Sequence, residues 1–509
     1  LETHEVVDAT IRALERDRDL YERSGALVRV LRVAPATGAP TRARLAVGSP
    51  TIDRLPLATL RERMGIVARF ERLDKQTGKW SRCLPSPMLL DTVYARGHWP
   101  GIRRLVGILK APSLRPDGSI IQAPGYDAAT GFLYVPSESF EAVEARPTQA
   151  DAKAALTELL DVFADFPFRD EPARMVPIAA LLTLLARPAI EGAVPGFLVD
   201  AATPGTGKTL LLDVVATIAT GRSAGRMTFP TGRNRDEELE KVLASFALQG
   251  AVLVNFDNIA DGIGGAALDK VLTAQDDTDF RVLGKSEVRK MPWLAVIVAS
   301  GNNVCVFGDT SRRMITSRLE SPLESPEDRT GFRHPNLAAW ARTHRARLVR
   351  AALTVLRAFF VAGCPRGSCA EWGSFEAWAA LVPPAIAWAG GADVLKARAN
   401  AAAVEDPDKA AYRVILADLP RLVQGRAMKT ADMIAALYPP ERQRNGPMPL
   451  DGFDDLREAF EGLTATPPGK VPGALPLSNQ LRRFLTRVVG GRKLDRQFDR
   501  KGIATWHVV

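Results

Sequence analysis

The chain has 509 residues, too many for a single hydrophobic core, so about two to four domains are expected. Hydrophobic residues make up 46% and charged residues 25%, which excludes a disordered or collagen-like chain, and the formal charge of +9 points to a polyanionic partner. Cys83, Cys305, Cys364 and Cys369 are too few for a disulfide framework and fit a reducing, cytoplasmic setting. Cys364 and Cys369 have no histidine at zinc-ligand spacing. The longest apolar run, 176–186, is too short to span a bilayer. It is expected as a buried helix, and no membrane partner is expected.

In chain order, residues 1–148 mix short strands, helices and turns and read as an N-terminal α+β domain. A strand is expected over 25–33, and a turn followed by a strand over 125–135. No acidic cluster there suits nucleotidyl transfer. The chain begins at Leu1 rather than methionine, which leaves a primase domain upstream as an open expectation. Residues 149–163 read as a helix leading into 149–325, where strand and helix patterns alternate as in a parallel α/β sheet.

Within that region, 196–200 reads as a buried strand and 210–219 as a helix. Between them lies Ala202-Thr203-Pro204-Gly205-Thr206-Gly207-Lys208-Thr209. Strand, glycine-rich turn and helix in this order make a P-loop. Residues Ala202 to Leu210 are expected to cradle the phosphates of ATP, with Lys208 on the β- and γ-phosphates and Thr209 on Mg²⁺. Ala202 stands where the first glycine is usual. The helix opened by 237–243 receives no role.

A second strand, 251–256, ends in Asp257, about fifty residues on, and is expected to hold the Mg²⁺. Asn258 follows, where an acid that activates water is common. Asn258 can orient water but is a poor base, and Asp261 and Glu238 are the alternatives. A third strand, 294–299, leads into Ser300-Gly301-Asn302-Asn303, with Asn302 or Asn303 expected to sense the γ-phosphate. Arg313 or Arg312 is expected to reach a neighbouring subunit's nucleotide, with Arg318 the alternative.

Residues 326–435 read as a helical subdomain, 443–447 as a loop and 436–509 as a small separate domain. In it, Ser478 reads as the N-cap of a helix with the apolar stripe Leu481, Phe484, Leu485 and Val488. Arg482, Arg483 and Arg487 lie off that stripe. Residues 492–508 read as strand, basic turn and strand, carrying Arg496 and Arg500. Such a helix and wing look like a winged-helix DNA-binding domain, with a protein-packing module as the alternative.

The P-loop at 202–209, Phe256-Asp257-Asn258, the 300–303 segment and Gly308-Asp309-Thr310-Ser311-Arg312-Arg313 together resemble AAA+ ATPases of the superfamily 3 helicase type. They look most like the primase-helicase replication proteins of phages and mobile elements. The resemblance implies an α/β P-loop core of the AAA+ (ASCE) kind, and a ring, usually a hexamer, with ATP between subunits. It implies single-stranded and forked DNA as partners, and a primase or polymerase as a possible further one. Residues 279–292 alternate around Gly284 as a hairpin. By position in the family, Lys285 is its tip in the ring channel, supported by Arg281, Arg289 and Lys290. The expected function is an ATP-dependent replicative DNA helicase. An initiator that uses ATP only as a switch is the alternative, and a remodeller of a protein partner is a third possibility.

Overall fold

Strands covered by helices on both faces read as unbroken apolar runs, and Gly196–Ala201 (β1) is buried at every residue. The computed structural model describes residues 3–509 except 33–49, 75, 233, 261, 276, 283–286, 324, 366–370, 403–406, 440–450, 465, 468, 486 and 501. It forms two compact units, Leu1–Ala401 and Ala402–Val509.

The first unit is mixed α/β. The helices Gln149–Val162 (α1) and Glu171–Ala186 (α2) lead from the N-terminal region into β1. Thr148 and Asp151 close a reciprocal capping box on α1, and Asp170 caps α2 through the Ala173 amide at 2.8 Å. The second helix is buried continuously from Met175 to Ala186, which is what its all-round apolar sequence requires. After β1 come Lys208–Thr220 (α3), Arg226–Met227 (β2), Arg235–Gln249 (α4), Leu253–Ile259 (β3) and Ala266–Leu272 (α5). Then follow Asp277–Val282 (β4), Glu287–Pro292 (β5), Val296–Asn302 (β6) and Met314–Leu319 (β7).

Five strands form one parallel sheet in the order β2-β3-β6-β1-β7. Strand β6 is therefore inserted between β1 and β3. The register sets Ala201 beside Asn302, Asp200 beside Arg318 and Phe256 beside Ala299, so the carboxyl ends of β1, β3 and β6 share one edge. Strands β4 and β5 pair antiparallel outside this sheet. The helices Arg345–Val361 (α6) and Glu376–Trp388 (α7) pack against α1 and α2 in the larger core.

Arg345 is fully buried at the head of α6. Its guanidinium donates to the Thr217 and Ile218 carbonyls at 3.0 and 2.9 Å, at the carboxyl end of α3, and pairs with Glu138. A cation there opposes the negative end of the helix dipole and satisfies carbonyls that the helix leaves unpaired.

The N-terminal region holds a three-stranded sheet, with Ala26–Arg32 between Leu20–Arg23 and Pro50–Arg54, over a small helical core. Gly125–Asp127, expected as a turn, is itself a strand paired antiparallel to Phe132–Tyr134. The turn is displaced to 128–131, where Thr130 donates to the Asp127 carboxylate at 2.6 Å.

The second unit contains Pro407–Val423 (α8), Met428–Lys429 (β8), Thr430–Leu437 (α9), Asp454–Thr464 (α10) and Ala474–Arg482 (α11). Val488–Val489 (β9), Arg492–Phe498 (β10) and Ala504–Val508 (β11) complete it, in a sheet ordered β8-β11-β10-β9. Its core gathers Tyr412, Phe460, Leu481, Phe484 and Trp506. Two expectations are corrected here. The helix begins at Ala474, so Ser478 lies inside it; Pro476 is tolerated in that first turn. Val488 is not on the helical stripe but in β9, 62% exposed, because Gly490 and Gly491, both at positive φ, turn the chain into a hairpin. The segment 443–447 lies outside the described residues.

Candidate functional site

The turn between β1 and α3 depends on two glycines held at positive φ, Gly205 at 77° and Gly207 at 88°. A Cβ on Gly207 would sit 3.0 Å from the Phe166 ring, and one on Gly205 would fall inside the contact radius of the Glu327 carboxylate. The positive φ favours glycine at both positions, and at Gly207 the Phe166 ring also leaves little room for a Cβ. Thr206 is buried within the turn, whereas Ala202, Pro204 and Leu210 are exposed.

Lys208, the first residue of α3, lies half-buried over the turn. Its Nζ donates to Asn302 Oδ1 at 2.6 Å, and to Thr203 O and Thr206 Oγ1 at 3.4 and 3.3 Å. Burial lowers its pKa; Arg318 acts in the same direction, and the Asp200 and Asp257 carboxylates oppose it. Thr209 Oγ1 donates to Asp257 Oδ1 at 3.1 Å, and Ser300 Oγ donates to the same oxygen. Two hard oxygen donors so close fit Mg²⁺, which takes few protein ligands and leaves the rest of its shell to phosphate and water. Among the described residues no cluster of three or more His, Cys, Asp or Glu side chains offers an alternative metal site.

The two asparagines at the end of β6 separate by role. Asn302 meets Lys208, while Asn303, at φ 49°, accepts from Arg318 at 2.9 Å. Asn258 is exposed at φ 55°, just after the Asp257 position, and its amide donates to Ser300 Oγ at 3.5 Å. Of the other proposed bases, Glu238 pairs with Lys241 at 2.7 Å in α4. Asp261 lies outside the described residues.

The three arginines after β6 differ in freedom. Arg318 pairs with the buried Asp200 across the β1–β7 register. Arg313 bridges Asp269 at 2.7 Å and Asp309 at 3.3 Å, with a side chain only 13% exposed. Arg312 is 65% exposed and, among the described residues, its ion pair is with its near neighbour Asp309.

Three residues without a role in the sequence pattern join the site. Ser300 binds both Asp257 and the Asn258 amide. Asp200 holds Arg318 and the Val304 amide at 3.0 Å. Arg226 approaches Asp257 at 3.5 Å from β2. Their only signal in the sequence is a polar residue at or near a strand end. Beside the turn, a cavity of about 220 Å³ is walled by Phe166, Leu210 and Phe332, with Asp165, Glu327 and Arg329 among its charged groups.

In the β4–β5 hairpin, Arg281 and Lys290 are exposed on one face, while Arg289 shares the other with the buried Phe280. Lys285 and Gly284 lie outside the described residues. In the second unit, Arg482, Arg483, Arg487 and Arg500 are exposed, and Arg496 lies over the Phe498 ring at 4.8 Å. Among the described residues no helix is long and apolar enough to cross a membrane.

No family model and no curated protein matches this chain. Among solved structures it is similar to the apo C-terminal region of NrS-1, with 13% identity and a TM-score of 0.31 over 72% of this chain and 80% of that one. A shorter piece of that region gives 13% identity and a TM-score of 0.27, over 58% of this chain and 67% of that one. Likeness of that depth carries no functional argument, and the site geometry has to supply it.

Proposed function

We propose that this chain is a P-loop ATPase that drives movement along single-stranded DNA, acting as a replicative helicase. The observation that carries the reading is the convergence of Lys208, Asn302, Thr209 and Asp257 on one edge of the parallel sheet. Ligands of open α/β sheets bind at the carboxyl ends of the strands, where these four side chains meet. The strand order, with β6 between β1 and β3, supports a core of the AAA+ (ASCE) kind.

In this reading the backbone from Ala202 to Leu210 holds the phosphates, and Lys208 neutralises charge on the β- and γ-groups. Thr209 and Asp257 would hold Mg²⁺, which when bound supplies further charge neutralisation on the phosphates. Asn302 fixes the Lys208 ammonium and orients water or the γ-phosphate. Arg312, exposed and paired with the similarly exposed Asp309, is the best placed of the three arginines to serve a neighbouring subunit in a ring, proposed as a hexamer. The β4–β5 hairpin and the exposed arginines of the second unit supply backbone contacts to DNA, which carry no base information. The β8-β11-β10 order with α11 supports reading that unit as a winged-helix module.

Strand displacement on a forked duplex tests the proposal. It should require ATP and disappear in Lys208→Ala. ATP-independent displacement, or full activity in that variant, would reject it. A second reading is favoured by Asn258 alone: a weak base suits slow hydrolysis, and ATP then acts as an assembly switch. Tight ATP-dependent DNA binding without displacement would support the switch.

A further inference from the structure

The N-terminal region carries a two-stranded ribbon, Glu71–Leu73 paired with Trp80–Arg82, that is exposed at all six residues. Two-stranded ribbons bury little and stand only when anchored. Here Phe70 packs on the N-terminal core, and the Cys83 amide donates to Phe70 O at 2.9 Å. At the far end the Asp74 carboxylate accepts from the Gln76 and Thr77 amides at 2.8 and 3.3 Å, fixing the turn.

The register puts Leu73 opposite Trp80 and Glu71 opposite Arg82, so these four share one face. Arg72 lies on the other face, opposite Ser81. Trp80 is 64% exposed and Leu73 43%. Residues 69–82 contain five cations and two acids. Glu71 is paired with Arg69 at 2.9 Å, whereas Arg72, Lys79 and Arg82 have no ion pair to a described acid. An aromatic ring standing in water beside unpaired cations is poorly suited to dry protein packing. It suits a polyanion with open π-faces: bases stack on the ring and phosphates meet the cations.

We propose that this ribbon is a binding element for single-stranded DNA, with one base stacked on Trp80, a flanking phosphate held by Arg82 on the same face, and the backbone that continues round the ribbon edge held by Arg72 on the other face and by Lys79 beside the turn. It is separate from the triphosphate site; only the choice of DNA over RNA rests on the proposed function.

The test uses the full chain and a thirty-nucleotide oligothymidine probe without nucleotide. Trp80→Ala should weaken binding by about five- to a hundredfold, and Trp80→Phe should restore most of it. Arg72→Gln with Arg82→Gln should flatten the slope of log affinity against log salt by about 1.4. With 4-thiothymidine in the probe, photocrosslinks should map to residues 71–82, whatever other DNA contacts the chain makes. Lys208→Ala should keep all three signals, so a failed ATPase reading would leave them intact. Unchanged affinity in Trp80→Ala, or crosslinks that avoid 71–82, would overturn the proposal. Equal loss on a thirty-base-pair duplex would overturn it as well, because paired bases cannot stack on the ring.

Discussion

Lys208 Nζ and Asn302 Oδ1 lie 2.6 Å apart, although 94 positions separate the two residues in the chain. The lysine comes from the head of α3 and the asparagine from the end of β6. The bond aims a flexible ammonium at the turn, so less rotamer freedom remains to be lost when an anion binds. Asn302→Ala should leave binding of a fluorescent ATP analogue within about fivefold while hydrolysis falls by about a hundredfold, the scale for removing one oriented polar group from a charge-stabilising site. Lys208→Ala should abolish turnover. Full turnover in Asn302→Ala, read by phosphate release, would refute the assignment.

Arg318 and Asp200 face each other across neighbouring strands, with side chains 17% and 5% exposed. Removing the cation leaves a buried carboxylate uncompensated, so Arg318→Ala should cost about 3–5 kcal/mol. Arg312→Ala touches an exposed pair and should change stability by less than about 1 kcal/mol. Urea unfolding separates the two. If Arg312 acts in trans, its variant should lose hydrolysis with stability unchanged and recover part of it when mixed with Lys208→Ala subunits. No recovery would count against a role in trans.

Glu327 places its carboxylate against Gly205 in the turn expected to hold phosphate. Like charges repel there, and salt screens the repulsion because Glu327 is exposed. Glu327→Gln should therefore tighten triphosphate binding a few-fold at low salt, measured by calorimetry, and the gain should shrink as salt rises. Gly205→Ala should impair binding, since a residue with a Cβ is strained at the φ of 77° that the turn holds there.

Lys110 lies beside Arg222 and Arg345, and burial together with these two cations brings its pKa down from 10.5 to about 8. Between those values the unfolded chain holds a proton that the folded chain has released. Stability should therefore rise with pH across that window. Lys110→Met should be more stable than the parent at pH 7 by up to about 3 kcal/mol, and the gap should narrow steadily towards pH 10. A gap independent of pH in paired urea titrations would show that Lys110 does not titrate in this range.

Much of the candidate site was legible in the sequence because its signals are local. A strand, a glycine-rich turn and a helix occupy 25 consecutive residues, from Gly196 to Thr220. The β4–β5 hairpin announced itself by alternation around a glycine. What escaped had weak or misleading local signals. Ser478 has good capping chemistry, yet the helix is capped at Gly473, five residues earlier, because Leu477 and Leu481 are drawn into the core. The exposed ribbon at 71–82 has strands of three residues, too short for period-two patterning to stand out.

The amino-acid order alone determined that a glycine-rich turn follows β1 and that Asp257 lies near the carboxyl end of β3, which runs on to Ile259. Tertiary structure decided which partners those residues meet: Asn302 rather than Asn303 for Lys208, Ser300 for Asp257, and Asp200 for Arg318. The reason lies in parallel strand pairing. Neighbouring strands here are distant in sequence, and their register follows from packing the whole core, so no local pattern records it.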